Sequence, residues 1–242
     1  KHIILALLVM IMSFSAYAGE KETAYDRVME REAALWSANG LNGWTAIGDV
    51  IATGAPSAVL TTAFADGADD AINLNLSGTS AVLANQAGGL EELAGLGFGA
   101  LDFNGQLAFE GSALTQSFFV NAGDVLSFDF SFLTNEDRLA SVFNDDGAFV
   151  SINGVGTLLS SAVSATAVNG QGPFSFGSNG SFSFTFTQSG TVNLAIGVFD
   201  ANDSAVSSTL SVSNMNVTPA VPEPTFPIVY QFVSQLGSLF FC

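Results

Sequence analysis

The sequence has few of the residues on which most catalytic and metal-binding motifs depend. Of 242 residues, five are lysine or arginine, one is histidine (His2) and one is cysteine (Cys242). These counts exclude an intrachain disulfide, a Cys/His zinc site, a Ser-His-Asp triad and a Cys-His dyad. The sequence also has no G-x-S-x-G elbow and no GKS or GKT phosphate loop. It therefore predicts a protein that is not an enzyme.

Basic residues are especially scarce after position 31, where Arg138 is the only one. Eighteen of the 22 acidic residues lie in that same part of the chain. Such a surface repels a phosphate backbone, so the sequence predicts no nucleic-acid partner. Binding to an anionic membrane surface is disfavoured for the same reason. Cations and neutral sugars remain compatible with this charge.

The N-terminus is typical of a secretory signal. A short basic start is followed by an apolar run at 3–14 and by the small residues Ala16 and Ala18. We expect residues 1–18 to be a signal helix that is cleaved after Ala18. Residues 24–38 have helical spacing and precede Asn39-Gly40, so a helical segment is expected over 19–40.

Alternation of large apolar and small polar residues dominates the middle of the chain. Phe182, Phe184 and Phe186 alternate with serine and threonine, and 126–132 and 192–198 repeat the pattern. Further strands are predicted at 114–120, 148–152 and 209–217, the last with a bulge near 213–214. Turns are predicted at 121–123, 146–147, 153–154, 179–180 and 189–190. Strands without interleaved helices predict an all-β, antiparallel, jelly-roll-like β-sandwich over 41–218.

The phenylalanines of the alternating strands are predicted to fill the core, with sugar stacking as the alternative role. Residues 81–97, AVLANQAGGLEELAGLG, differ from the rest of the chain because they suggest short helical pieces broken by two glycines. We expect these pieces to cross one end of the sandwich, with packing or capping of an open sheet edge as their favoured role.

Three loops are rich in side-chain oxygen, which is the ligand that calcium prefers. The alternative is that they are solvated turns, since Asn, Asp and Gly favour turns for conformational reasons. Calcium is the one cofactor that these loops suggest, and the sequence requires none. The candidate ligands are Asn135, Glu136 and Asp137; Asn144, Asp145 and Asp146; and Asp200, Asn202 and Asp203.

Three aromatic side chains are candidates for an exposed sugar-binding ring: Trp36, Trp44 and Phe149. Trp44 has an alternative position, packed at the edge of the sandwich.

The C-terminal segment 219–242 contains Val221, Pro222, Glu223 and Pro224, followed by an apolar stretch interrupted by proline and glutamine. In this arrangement the chain resembles PEP-CTERM proteins, which are exported bacterial proteins. The resemblance implies an exosortase that processes the tail and transient membrane contact through the terminal segments. It also implies a location at the cell surface or in the extracellular matrix of a Gram-negative-type bacterium.

The middle of the chain is similar to PEP-CTERM proteins with a galactose-binding-like jelly roll. The segments that carry the similarity are 43–50, 110–114, 126–136, 148–152, 197–200 and 205–208. The resemblance implies a secreted adhesive or structural protein near extracellular polysaccharide. The alternative is a lectin-like carbohydrate-binding module, either calcium-dependent or calcium-independent.

Overall fold

The computed structural model describes residues 41, 43–54, 57–67, 73–137, 139 and 143–220. The predicted signal, the N-terminal helix, Trp36 and the VPEP motif therefore lie outside the described residues. The described elements include one short helix, α1 (Leu90–Leu93), and a 3-10 turn at Phe103–Gly105. The strands are β1 (Thr45–Ile47), β2 (Asp49–Gly54), β3 (Ser57–Thr61), β4 (Val82–Leu83), β5 (Ala108–Val120), β6 (Val125–Thr134), β7 (Gly147–Ile152), β8 (Val155–Ser161), β9 (Thr166–Ala167), β10 (Phe176–Thr185), β11 (Gly190–Ala201) and β12 (Thr209–Thr218).

Two six-stranded sheets face each other. The first has the order β1-β5-β11-β7-β8, with β4 also paired to β5. The second has the order β2-β3-β12-β6-β10-β9. The pairings between these strands are antiparallel. The predicted all-β, antiparallel β-sandwich is confirmed.

The main core lies between the sheets and follows the period of two. Leu126, Phe128 and Phe132 of β6 face Leu194 and Ile196 of β11, and these side chains are buried. Residues between them on each strand point to the opposite face of their sheet. Burial of this apolar surface is the main stabilising term of the fold.

Two of the predicted turn signals have different outcomes. Asn153 and Gly154 form the two-residue connection between β7 and β8, with φ angles of 51° and 80°. This pair of positive φ angles is what a tight hairpin requires. The turn predicted at Asn179-Gly180 is wrong, because β10 runs straight through it. Gly180 is needed there for space, since a Cβ would lie 2.6 Å from the Phe130 ring.

The predicted bulge in the last strand is confirmed. The register of β12 against β6 shifts between Ser213 and Asn216. Asn214 lies inside this shift and has a φ of 53°. The local disruption of the ladder is typical of a bulge.

Residues 81–97 pack on the first sheet, which confirms the packing role expected for them. They contain the two-residue strand β4 and the four-residue α1. Leu90, Leu96 and Leu101 pack against Phe149 and Phe199 on the outer face of the first sheet, where they form a second apolar cluster. The segment therefore covers a sheet face, and the expected position across an end of the sandwich is wrong.

In the described part of the chain, no helix has the length and apolar character needed to span a membrane.

Candidate functional site

A cleft of about 690 Å³ lies between the free edges of the two sheets. β8 is the edge of the first sheet, and β10 pairs with the short β9 only at Phe176 and Gly177. A hydrogen bond between the hydroxyl groups of Ser160 and Ser178 joins the two edges at one point. On the side of β8 that begins at Val155, the edges separate and form the cleft.

Three phenylalanine rings line the cleft. Phe182 stacks on Phe128 of the core with ring centroids 5.0 Å apart, and Phe186 is buried. Phe184 is 40% exposed and meets Phe186 edge-on at 5.2 Å. The prediction that these rings fill the core is therefore confirmed for Phe182 and Phe186 but wrong for Phe184. The row begins in the core and ends with one ring open to solvent.

Among the described residues that line the cleft, none is ionisable. The polar residues are Asn153, Thr157, Thr187, Gln188, Ser189 and Thr191. An uncharged site is notable in a chain whose net charge is −17. Ligand sites commonly combine an apolar wall with a few polar groups that fix orientation, and their volumes are about 300–1,000 Å³. The cleft matches this description for a neutral ligand.

A second, shallower depression of about 410 Å³ lies on the outer face of the second sheet. Serine and asparagine side chains surround Asp129 there. Hydrogen bonds from Asn214 and Ser181 hold the pKa of Asp129 below its ordinary value. Its one aromatic residue is the half-buried Phe130. This surface therefore offers hydroxyl groups and a charge, but no open ring.

The aromatic residues predicted from the sequence do not form the cleft. Phe149 is fully buried, so its prediction as an exposed sugar-binding ring is wrong. The reason is that β7 is covered on both faces, by the core and by the outer apolar cluster. Trp44 is 8% exposed and packs with the core, as its alternative predicted.

The oxygen-rich loops meet at one end of the sandwich. The Asn144 side-chain amide donates to Asp203 at 2.7 Å, and that of Asn202 donates to Asn144 Oδ1 at 3.3 Å. The Asn144 backbone N–H donates to Glu136 at 3.4 Å. Asp146 accepts hydrogen bonds from the Ala201 N–H and the Ser208 hydroxyl. Glu136, Asn144, Asp146, Asp200, Asn202 and Asp203 are thus close neighbours.

Three predicted calcium ligands have other contacts. Asn135 accepts from the Ser175 N–H, and exposed Asp137 accepts from the Leu139 N–H. Asp145 is buried, but Val163 N–H and the Asn104 side chain donate to its carboxylate. The Asp137 contact is local and typical of a turn, whereas Asn135 and Asp145 connect their loops to distant parts of the chain.

One member of the cluster, Glu110, is not among the ligands predicted from the sequence. Glu110 is fully buried on β5 and is the direct register partner of Asp200 on β11. Its sequence signal is parity, because Glu110 falls on the same strand face as buried Ser112 and Leu114. It lies within β5 and belongs to none of the loops.

Burial and like charge raise the pKa values of the clustered acids. Burial, followed by the charge of Asp146, raises the pKa of Glu136 to about 7. Burial also raises the pKa of Asp146. For Asp200, burial and then the neighbouring charge of Asp146 raise the pKa well above its ordinary value. Each of these groups favours a proton or another positive charge nearby.

Within the described residues, no three His, Cys, Asp or Glu side chains are grouped so as to hold a metal ion. A cation at this end of the sandwich would therefore require the carboxyl groups to change their orientation, together with amide or backbone oxygens. Calcium accepts such mixed oxygen ligands in a flexible geometry.

No family model and no curated protein matches the chain. Among solved structures, it is similar to the K3 cleaved adhesin domain of Lys-gingipain from Porphyromonas gingivalis. The identity is 14% and the TM-score 0.33, over 75% of this chain and 95% of that one.

It is also similar to the CBM22-1 xylan-binding domain of Xyn10C from Paenibacillus barcinonensis, with 13% identity and a TM-score of 0.26, over 74% of this chain and 88% of that one. A CBM4 domain matches with 12% identity and a TM-score of 0.21, over 45% of this chain and 61% of that one. At these identities and TM-scores the similarity carries no argument about function.

Proposed function

We propose that this protein is an exported, non-enzymatic adhesive protein that binds neutral glycans of the cell surface or exopolysaccharide matrix. The binding site is the cleft between β8 and β10. The observation that carries the proposal is the open ring of Phe184 beside uncharged hydroxyl and amide groups.

The chemistry of the cleft favours a sugar over other ligand classes. A pyranose has an apolar C–H face that packs on an aromatic ring, and hydroxyl groups that exchange hydrogen bonds with threonine and glutamine. Thr157, Gln188 and Thr191 supply such groups around Phe184. The absence of an ionisable residue among those lining the cleft favours a neutral glycan over a charged one.

Binding without turnover is supported by the residues available. The described residues include neither histidine nor cysteine, so they offer the cleft no Ser-His or Cys-His pair. A glycosidase needs two carboxylates across the scissile bond. Among the described residues, no aspartate or glutamate lines the cleft.

Export and surface location rest on the two ends of the chain. The apolar run with Ala16 and Ala18 supports secretion, and the VPEP motif at 221–224 supports processing by an exosortase. Replacing Pro222-Glu223-Pro224 by alanines in the producing cell is expected to shift the protein away from the cell surface. Unchanged distribution between cell and matrix fractions would remove the sorting part of the proposal.

Glycan binding is tested by an array of neutral and acidic oligosaccharides, probed with the full chain. The expected result is a selective signal on neutral glycans that falls at least tenfold in Phe184→Ala. Phe98→Ala is the matched control, since Phe98 is 77% exposed and does not line the cleft. The control variant is expected to bind like the unmodified protein.

Two results would overturn the cleft as a glycan site. One is a blank array, which would favour a matrix scaffold without ligand selectivity. The other is a selective signal that Phe184→Ala and Phe98→Ala reduce equally, or that neither reduces. Reducing sugar released from a bound glycan would contradict the non-enzymatic part.

A further inference from the structure

Four acidic side chains lie at the same end of the core, each within a strand or just beyond the end of one. On β11 the inward-facing row Ile196, Val198 leads to Asp200, and on β5 the row Leu114, Ser112 leads to Glu110. The inward-facing rows of β7 and β6 continue in the same way, to Asp146 just before β7 and to Glu136 just beyond β6. We name these four residues, Glu110, Glu136, Asp146 and Asp200, the carboxylate layer.

The layer brings like charges together inside the protein. Asp200 and Glu110 are direct cross-strand partners, and both are at most 1% exposed. Like charges placed opposite each other destabilise a pair of strands. Asp146, which is fully buried, is a third neighbour of Asp200. Ionised carboxyl groups in such a place need a compensating positive charge.

Asp200 differs from the acids buried elsewhere in the described residues. Asp49 accepts hydrogen bonds from Leu76 N–H, Ser77 N–H and the Thr61 hydroxyl. Glu91 likewise accepts from two backbone N–H groups. By contrast, no described N–H or hydroxyl group donates a hydrogen bond to Asp200, whose side-chain partner is another acid, the carboxyl group of Asp146. Its buried oxygens face the other acids of the layer.

The surrounding chain offers little positive charge. The described residues include no lysine, arginine or histidine, and Arg138 is the only basic residue after position 31. One arginine cannot neutralise four carboxylates. A divalent cation carries two charges and accepts carboxylate, amide and backbone oxygens together.

We propose that the carboxylate layer binds one calcium ion, held by Glu110, Asp146 and Asp200 with oxygens of the adjoining loops. Asn144 and Asp203 contribute from the loops that already contact the layer. The ion lies at one end of the sandwich, where Asp200 and Glu110 of the first sheet and Asp146, which precedes β7, are close to Glu136 beyond the end of β6. The site is separate from the cleft and does not depend on glycan binding.

The test is calorimetric titration of the chelator-treated full chain with calcium at pH 7.5, paired with thermal unfolding. We expect saturable binding of one ion with a dissociation constant below 1 mM, on the scale of ~10⁻⁴–10⁻³ M known for extracellular sites. Calcium is expected to raise the Tm, and magnesium at the same concentration to raise it less.

Asp200→Asn gives the sharper result, because it removes a buried charge while keeping the side chain's size. It is expected to raise the Tm of the metal-free protein and to weaken calcium binding at least tenfold. Asp49→Asn is the buried-acid control, which is expected to lower the Tm without changing calcium affinity. Arg138→Gln is expected to leave calcium binding in place.

Three results would overturn the proposal. The first is the absence of a measurable heat of calcium binding, together with a Tm that neither calcium nor chelator changes. In that case protons alone would neutralise the carboxylate layer. The second is unchanged calcium affinity in Asp200→Asn, which would place the ion elsewhere. The third is a metal-free Asp200→Asn variant that is less stable than the unmodified chain. This would mean that like-charge repulsion at Asp200 does not destabilise the protein.

Discussion

At the scale of single residues, the chain treats its buried acids in two ways. Asp49 and Glu91 are surrounded by donors, whereas Asp200 faces other acids. A buried carboxylate that accepts several N–H hydrogen bonds stabilises the loops that provide them. The same side chain among like charges is a cost unless a cation is bound.

Glu91 shows what the first kind of acid does. Its carboxylate accepts from the N–H groups of Gly99 and Leu101, each at 2.8 Å, and so fixes the segment over the first sheet. Glu91→Ala leaves two backbone donors without this acceptor, at a cost of about 1–3 kcal/mol. We expect faster amide exchange at Gly99 and Leu101. Glu92→Ala is the control at an exposed neighbour, and equal effects of both variants would contradict the assignment.

The carboxylate layer shows how far single residues can be predicted from sequence. The sequence predicts Glu136 and Asp200 as loop oxygens, but both also continue a period-two row, which is the reason they are buried. Glu110 follows the same rule from Leu114 and Ser112. What the sequence does not contain is the pairing of β5 with β11, which alone places Glu110 opposite Asp200.

At the scale of elements, close contact between strands and the covering segment depends on small residues. Gly111 on β5 lies under the covering segment and beside β11. A Cβ at this position would lie 2.1 Å from the Val198 carbonyl oxygen and 2.8 Å from Leu90. The backbone must therefore move before any side chain can be accepted.

Gly111→Ala is expected to destabilise the fold by about 1–3 kcal/mol, the usual cost of overpacking. Chemical denaturation of the full chain measures this change. Gly97→Ala is the matched control, since a Cβ added there would meet no atom within 4 Å and its φ is not in the left-handed region. A Gly111→Ala variant as stable as Gly97→Ala would show that the close contact is absent.

Elements with strong alternation were predictable, and elements without it were not. β6, β10 and β11 are recognisable in the sequence because one face of each is apolar. β8, with the sequence VGTLLSS, and the two-residue strands carry no such pattern. Their positions follow from pairing with distant strands. Phe149 illustrates the same limit, because its burial comes from a segment some fifty residues earlier in the chain.

At the scale of the whole molecule, an excess of negative charge makes stability depend on pH. Glu136 has a pKa raised from 4.5 to about 7 by burial and by the charges of Asp146, Asp203 and Asp137. Asp200 has a raised pKa through burial and the charges of Asp146, Glu110 and Asp203. At pH values between the ordinary and the raised pKa of these groups, the folded state therefore binds more protons than the unfolded state.

The stability contributed by these protons is fully present below about pH 4.5 and is lost as the pH rises through about 7. The chelator-treated protein is expected to have a free energy of unfolding that falls between pH 5 and pH 8. Denaturant titrations at four pH values measure the slope. Glu136→Gln should flatten it, while Asp129→Asn should not, since the pKa of Asp129 is lowered. A stability that rises with pH over this range would contradict the account.

The carboxylate layer and the cleft lie in different parts of the molecule. The carboxylate layer lies at the end of the core marked by Asp200, where β11 finishes. The cleft includes Gly190 and Thr191, where β11 begins. This separation means that loss of calcium binding and loss of glycan binding can be measured independently. It also means that loss of one kind of binding would not explain loss of the other.

The central claim is that the cleft between β8 and β10 binds a neutral glycan. The most direct measurement is a map of backbone amide chemical shifts in the full chain, titrated with a neutral oligosaccharide selected by the array. The account predicts saturable shifts around Phe184, Gln188 and Thr157, and their loss in Phe184→Ala but not in Phe98→Ala. Shifts confined to the serine-rich face around Asp129, or no shifts at saturating ligand, would contradict it.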